Sequence, residues 1–257
     1  MHESLRGSGW VLAAALAWLA AAKAAAQEGP VAGPPAASPP ATDLSTPTAL
    51  VSPAPEGWPE FTGVTFGSVA LTAAGFVSAF AVHEACHLVT NLSMANVPTL
   101  EPVRFAGAIP FFAVSPNVQC RDGSCTKRSG EPFWPGPRGY GFIVTSGILC
   151  QEITDEIILT EHPRIRQESE PFLKGMLLFN TATSLAYGIA NLTGIEPPEG
   201  DLRGFEQATG SPRGVLAALV LGTAALDIAR YFLPDATWLP WVSRGSKAVT
   251  LGFVIAY

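Results

Sequence analysis

The sequence predicts an all-α membrane protein: a polytopic bundle of about five spanning helices that follows an N-terminal signal segment. Only 14% of the 257 residues are charged, whereas 48% are hydrophobic, and the mean hydropathy is +0.28. Soluble domains carry about 25% charged residues, so this chain has less polar surface than water requires. Several of its apolar runs also reach about 20 residues, the length that a helix needs to cross a bilayer.

The first 62 residues differ from the rest in composition. The run WVLAAALAWLAAAKAAAQ ends in small residues before Gln27, which is typical of a secretory signal peptide over residues 1–26. An uncleaved signal anchor is the alternative, because an alanine-rich run of this length can also span a bilayer. Residues 27–62 are rich in proline and alanine and are predicted to form an extended tether. The remaining residues, 63–257, are predicted to form the membrane-embedded domain.

Five apolar segments of this domain are predicted to span the membrane. A shorter run, VRFAGAIPFFAV at 103–114, is broken by Pro110 and is predicted to form a re-entrant or interfacial hairpin. The basic residues of the loops are spread too evenly for the positive-inside rule to orient the bundle, so the topology stays open. The five segments are approximately 63–92, 139–160, 172–193, 213–233 and 239–257.

The stretch AFAVHEACHLVTNL, residues 79–92, places ionisable side chains inside the first apolar segment. His83 and His87 are four residues apart, so on a helix they share a face and can converge on one zinc ion. Glu84 lies on the adjoining flank, from which it can reach a metal-bound water and act as general base. Ionisable groups inside a spanning helix are costly and by default functional, whereas the structural alternative is a pair of hydrogen-bonded core histidines.

A catalytic zinc site needs a third protein ligand, and three acidic side chains compete for that position. Asp201 follows Pro197 and Pro198, which would end a helix, and Gly200, which would let the backbone turn tightly beside a metal. The carboxylate of Asp201 is therefore expected on a turn that can reach the two histidines.

The other two positions have simpler structural explanations. Glu152 shares a predicted helical face with Asp155 and Glu156, and such a stripe is expected to face water or the membrane interface. Asp227 has Arg230 one helical turn further on, so a buried ion pair is expected there.

The histidine motif resembles that of the intramembrane zinc metalloproteases of the site-2 protease class. Those enzymes carry HExxH in a transmembrane helix, and His83, Glu84 and His87 match that motif in residue type and apolar setting. A later helix of the family brings an Asn-Leu-x-Pro…Pro-x-Asp-Gly motif, whose aspartate completes the zinc site. The region from Asn191 to Asp201 looks like a degenerate form of it, about a hundred residues downstream.

The resemblance extends over about 63–235 and implies a zinc-dependent intramembrane peptidase. It implies Zn²⁺ as the cofactor, His83, His87 and Asp201 as its ligands, and Glu84 as the residue that activates water. This sequence departs from the family in having Gly194 and Glu196 where a proline-rich turn is expected, and in reading Gly200-Asp201 rather than Asp-Gly.

Two other functions stay open. A glutamate on a second helix sixty-odd residues downstream resembles the Ste24-like membrane metalloproteases, which would make Glu152 the third ligand. A non-catalytic metal-binding membrane protein is the alternative from another class. The expected partners are a lipid bilayer and a membrane-protein or peptide substrate, in a multi-pass protein of a bacterial inner membrane. With a net charge of −6 and no basic stripe, nucleic acid is not expected as a partner, and the oligomeric state is not predicted.

The four cysteines divide by their surroundings. Cys120 and Cys125 flank an Asp-Gly turn and could close a disulfide in an oxidising compartment, with two free thiols in a cytosolic loop as the alternative. Cys86 and Cys150 lie in apolar runs and are expected to be small buried side chains.

Overall fold

A computed structural model describes residues 65–105, 109–121, 123–196 and 200–257. The predicted signal segment 1–26 and tether 27–62 lie outside these residues. The described chain contains helices and two antiparallel hairpins: α1 Phe66–Ser93, β1 Thr99–Phe105, β2 Ile109–Ser115, β3 Val118–Arg121, β4 Ser124–Lys127, α2 Gly136–Glu161, α3 Pro171–Thr193, α4 Asp201–Thr209, α5 Val215–Phe232 and α6 Leu239–Ala256.

The fold-class prediction is confirmed in its coarse form, because the described chain is mostly helical. Each of the five apolar segments forms a helix, and the helix ends differ from the predicted ones by at most three residues, at Phe66 and at Gly136. Within the described residues, only α1 and α5 are long and apolar enough to cross a membrane, with mean hydropathies of 1.5 and 1.6. Helices α2 and α6 carry charged side chains near their centres, such as Glu152 and Lys247, which lower their hydropathy.

Helix α4 was not predicted, since a turn was expected around Asp201. Instead Asp201 is the first residue of a nine-residue helix, and Gly200 precedes it with a φ of −66°, outside the left-handed region. The helix forms because its apolar side chains, Leu202 and Phe205, share one face and are completely buried. Pro197 and Pro198, which were expected to stop the preceding helix, lie outside the described residues.

Helix α1 packs closely against α3 and α2. At its crossing with α3 the two backbones come together at a pair of glycines, Gly75 and Gly175. A Cβ atom on Gly75 would overlap with the Phe172 carbonyl, and one on Gly175 would overlap with the Thr72 carbonyl. Small residues at such a crossing allow close helix–helix packing, which fixes the position of α1 within the bundle.

Two disulfides constrain this arrangement. Cys120 pairs with Cys125 across the β3–β4 hairpin, as the turn between them predicted. Cys86 pairs with Cys150 and joins α1 to α2, so the expectation that these two cysteines are merely small buried side chains is wrong. Both are half-buried and face one another where the two helices pack together.

The main hydrophobic core lies around the first half of α2. Helix α4 packs directly against α2 in this core, and this contact brings the N-terminus of α4 towards α1. The buried side chains of the core are Val118, Cys125, Phe133, Tyr140, Ile143, Val144, Ile148, Leu149, Leu202, Phe205, Ala208, Leu216, Ala217, Val220 and Val254.

Candidate metal centre

Helix α1 presents the two motif histidines on one buried face. His83 and His87 are 3% and 5% exposed, and their Nε2 atoms lie 3.1 Å apart. The spacing of four residues produces this arrangement, because residues i and i+4 of a helix lie one above the other.

Asp201 lies directly opposite this pair. Its Oδ2 atom is 3.3 Å from His83 Nε2 and 3.6 Å from His87 Nε2. The three side chains form the only group of three or more potential metal ligands of this kind found among the described residues. The structure therefore brings Asp201 to the histidines, as the sequence-based assignment expected, although on a helix rather than on a turn. We refer to His83, His87 and Asp201 as the histidine–aspartate cluster.

The hydrogen bonding of His87 fixes which of its nitrogens can bind a metal. Its Nδ1 lies 2.8 Å from the carbonyl oxygen of Ile143, and since a carbonyl can only accept, Nδ1 carries the proton. In the neutral imidazole, Nε2 then has a free lone pair directed into the histidine–aspartate cluster. A backbone carbonyl that holds the second nitrogen of a ligating histidine is the usual arrangement in metal sites.

Asp201 supplies a negative charge to the same point. Burial acts to raise the pKa of Asp201, but His87 and His83, when protonated, hold it well below its ordinary value, so the carboxyl group is ionised. Its Oδ2 atom is buried and has no hydrogen-bond donor. A buried anion without a donor is unfavourable unless a cation compensates it.

The spacing of the three atoms fits a small tetrahedral ion. Tetrahedral zinc with bonds of about 2.0–2.1 Å places its ligand atoms about 3.3–3.4 Å apart. The observed separations are 3.1, 3.3 and 3.6 Å. Two imidazole nitrogens and one carboxylate oxygen are also ligands that zinc accepts, with a fourth position left for water. The histidine–aspartate cluster can therefore hold a metal ion.

Helix α2 leaves room for such an ion at Gly147. A Cβ atom at this position would lie 2.5 Å from His83 Nε2 and 2.5 Å from His87 Nε2. Any side chain at residue 147 would thus fill the space beside both ligand nitrogens. The absence of a side chain at Gly147 keeps that space open.

Glu84 is held next to the cluster by the first hairpin. Its Oε2 atom accepts a hydrogen bond of 2.7 Å from the backbone N–H of Val114 in β2. Glu84 is only half-buried, in contrast to the fully buried histidines on either side of it. The general-base position expected from the sequence is therefore adjacent to the cluster and also in contact with a strand edge.

The aromatic ring of Tyr187, on α3, covers His83. The two ring centroids are 6.4 Å apart and the ring planes differ by only 12°. His83 Nδ1 is buried and has no hydrogen-bond partner, so its orientation depends on packing of this kind.

Asn191 is the first residue of the region that resembles the family's second motif. In the structure its side-chain amide donates to Glu196 Oε2 at 2.8 Å and to Glu206 Oε2 at 3.3 Å. Glu196 is buried, and this burial raises its pKa while the hydrogen bond from Asn191 acts in the opposite direction. Asn191 is thus engaged within the protein, between the end of α3 and the start of α4.

Glu152, the alternative ligand, lies in a different cluster. The expectation that Glu152, Asp155 and Glu156 face water or the interface is wrong for the first two, which are 6% and 5% exposed. The face that they share is directed into the bundle. There Asn180 donates to Asp155 at 2.7 Å, which pairs α3 with α2.

The ion pair expected at Asp227 is present but is part of a larger ion-pair network. Lys247 Nζ lies 2.9 Å from Asp227 Oδ2, whereas Arg230 is 3.9 Å from Asp227 and only 2.5 Å from Glu156. Asp227 therefore has a structural partner and does not approach the histidines. The ion-pair network comprises Glu156, Asp227, Arg230, Arg244 and Lys247.

Three residues near the cluster were missed from the sequence: Gly147, Tyr187 and Glu196. Gly147 could not be singled out from the sequence, because α2 contains several glycines and nothing in the sequence shows which of them faces another helix. Glu196 did stand out as a departure from the family motif, and that departure was the signal that it has a role of its own.

Comparisons with protein-family models, with curated proteins and with solved structures gave no match for this chain.

Proposed function

We propose that this protein is a zinc-dependent intramembrane peptidase. The observation that carries the proposal is the convergence of His83, His87 and Asp201 on one point, with Glu84 immediately beside it. Two imidazoles, one carboxylate and an adjacent glutamate form the set that hydrolytic zinc enzymes use. The resemblance to the site-2 protease class, based on the same residues, points to the same activity.

A position in the membrane is supported by the surface of α1. Although it carries the buried histidines on one face, this 28-residue helix leaves many of its apolar side chains exposed. An exposed apolar surface of this length is unfavourable in water and suits contact with lipid. The exposed apolar residues of α1 are Phe66, Val69, Leu71, Val77, Leu88, Val89 and Leu92. A multi-pass arrangement that includes α2, α3 and α6 is part of the proposal.

Zinc, when bound, would polarise a water molecule and the carbonyl of a substrate amide. The carboxylate of Glu84 accepts a proton from the attacking water, whose oxygen forms the new bond to the carbonyl carbon. The C–N bond of the amide then breaks, and Glu84 returns the proton to the departing nitrogen. The hydrogen bond from Val114 holds the Glu84 carboxylate at the side of the cluster during these steps.

The outer edge of β2 is the place where we propose that an unwound substrate lies. Val114 pairs with Leu100 of β1 in register, yet its N–H is directed to Glu84. In an antiparallel ladder, residues two apart direct their backbone groups to the same side, so those of Phe112 also face this outer edge. A peptide added here as a strand would bring its amide bonds beside Glu84.

The test is to compare Glu84→Gln with Glu152→Gln in the detergent-solubilised full chain. The probe is an internally quenched peptide that contains a transmembrane segment. Glutamine keeps an oxygen that can accept the Val114 N–H but cannot take up a proton. Cleavage should therefore fall by about 10²–10⁴-fold in Glu84→Gln with stoichiometric zinc retained. Glu152→Gln should leave both zinc content and cleavage near the parent values.

The other outcomes separate the alternatives. Loss of zinc and cleavage in Glu152→Gln, with Glu84→Gln still holding zinc, would favour the Ste24-like mechanism. A parent protein that binds zinc and cleaves no peptide, whatever residue is at position 84, would be a non-catalytic metal-binding protein.

A further inference from the structure

The beginning of α4 has an unusual source of capping. The first N–H groups of a helix lack partners within the helix, and a polar side chain at the N-cap usually accepts from one of them. Here the N-cap is Gly200, which has no side chain to do so. The Oε1 atom of Glu196 accepts the N–H of Leu202 instead, at 3.1 Å.

Glu196 also connects α4 to the end of α3. Its second carboxylate oxygen accepts from Asn191 at 2.8 Å, and its backbone carbonyl accepts from Arg203 Nη1 at 2.7 Å. The side chain is 1% exposed, and it packs so tightly against the helix start that a Cβ atom on Gly200 would overlap with its carboxylate. Glu196 therefore fixes the N-terminus of α4 both by hydrogen bonds and by packing.

Asp201 is the residue at that N-terminus. It follows the cap residue Gly200 and precedes Leu202, and the N–H of Leu202 donates to Glu196. Because Asp201 is the first residue of the helix, any rotation or fraying of the first turn would move its carboxylate away from His83 and His87. Carboxylates and amides around a metal site commonly hold the ligands in this indirect way, and their loss typically weakens metal binding about 10–100-fold.

We propose that Glu196 is a positioning residue for the metal ligand Asp201. It holds the first turn of α4 so that the Asp201 carboxylate faces the two histidines, and it does not itself contact the metal. This assignment rests on the metal-binding part of the proposed function and requires no assumption about the reaction.

The test measures metal binding by the full chain in detergent, with Zn²⁺ for affinity and Co²⁺ for the visible absorption spectrum that reports ligand geometry. Glu196→Ala should weaken Zn²⁺ binding about 10–100-fold and alter the Co²⁺ spectrum, because Asp201 is no longer held in place. Glu196→Gln, which keeps an acceptor for the Leu202 N–H, should show a smaller loss and a spectrum closer to that of the parent.

Glu152→Ala is the matched control, because Glu152 is another buried glutamate, 6% exposed, that lies outside the histidine–aspartate cluster. It should lower the midpoint of thermal unfolding and leave both metal readouts unchanged. Parental affinity with a parental spectrum in folded Glu196→Ala overturns the proposal. If Glu196→Ala does not fold, Glu196→Met takes its place, since methionine keeps much of the side-chain volume but has no oxygen to accept the Leu202 N–H, and the same result overturns the proposal. If the parent chain itself binds no zinc, it is the proposed function that fails, and this result precedes any comparison of variants.

Discussion

Two buried polar regions are in contact with helix α2, and they deal with charge in opposite ways. In the ion-pair network the chain provides its own cations: Lys247 lies 2.9 Å from Asp227, and Arg230 lies 2.5 Å from Glu156. In the histidine–aspartate cluster the atoms that face one another are all potential acceptors, and Asp201 Oδ2 has no donor. The first region is electrostatically complete, whereas the second requires a proton or a metal ion.

This difference shows which property marks a site in a helical bundle. Burial and charge alone do not distinguish the two regions, because Asp227 is 4% exposed and His87 is 5% exposed. What separates them is the balance of donors and acceptors around each carboxylate. A buried ion pair with additional hydrogen bonds is compatible with a structural role. Nitrogen and oxygen atoms that lie about 3.3 Å apart and direct their lone pairs to one point are typical of a set of metal ligands.

The same substitution made in both regions tests this contrast and has the largest expected effect on metal binding. Asp201→Asn replaces a ligating carboxylate by a neutral amide, and we expect Zn²⁺ affinity to fall by more than about 100-fold. Asp227→Asn should leave zinc binding unchanged but lower the free energy of unfolding by about 3 kcal/mol, since Lys247 loses its buried partner and keeps only the half-buried Glu156. Zinc titration against a chelator and unfolding in detergent measure the two effects. Equal loss of zinc in both variants would contradict the separation of the regions.

The helices and the histidine pair could be predicted from the sequence because both depend on local periodicity. Apolar runs of sufficient length predicted five of the helices, and a spacing of four residues predicted that His83 and His87 share a face. The assignment of Asp201 came from the proline and glycine residues before it and from the resemblance to a family, not from helical periodicity. Its location on a helix could not be predicted, because α4 is short and depends on burial of Leu202 and Phe205 against α2.

What a helical face packs against could not be predicted either. The periodicity correctly placed Glu152, Asp155 and Glu156 together, but it contains no information on the cations of α5 and α6 that lie opposite. The Cys86–Cys150 disulfide has the same origin, since its two halves are 64 residues apart on different helices. Pairing between elements is a tertiary property, and a single sequence does not record it.

The two disulfides provide the next test, because one of them joins α1 to α2 next to the ligand His87 and the other lies in the β3–β4 hairpin. In the chain-entropy description, a cross-link that closes a loop of 64 residues stabilises the fold by about 4 kcal/mol, and one that closes a loop of 5 residues by about 2 kcal/mol. Cys86→Ala/Cys150→Ala should therefore lower the free energy of unfolding about twice as much as Cys120→Ala/Cys125→Ala. Chemical unfolding in detergent without zinc measures both.

The same pair of variants indicates whether the histidine–aspartate cluster depends on the spacing of α1 and α2. Cys86 precedes the ligand His87, so loss of its bond to α2 should also weaken zinc binding, whereas loss of the Cys120–Cys125 bond should not. Zinc affinities that stay equal in the two double variants would show that packing at Gly147 is sufficient to hold the helices.

The smallest expected effect comes from adding one methyl group to α2 or to α5. Gly147→Ala places a Cβ atom 2.5 Å from both ligand nitrogens, so either the imidazoles or the α2 backbone must move. Overpacking of this kind costs about 1–3 kcal/mol, and Zn²⁺ affinity should fall about 10-fold or more because the added methyl group occupies the space beside the ligands.

Gly222→Ala is the matched control, since a Cβ on this residue of α5 meets nothing within 4 Å. There the gain in helix propensity, about 0.5–1 kcal/mol, should raise the stability slightly and leave zinc binding unchanged. Zinc titration and thermal unfolding of the two variants decide the matter. If Gly147→Ala binds zinc as the parent does, the space beside the two histidines is not where the ion lies.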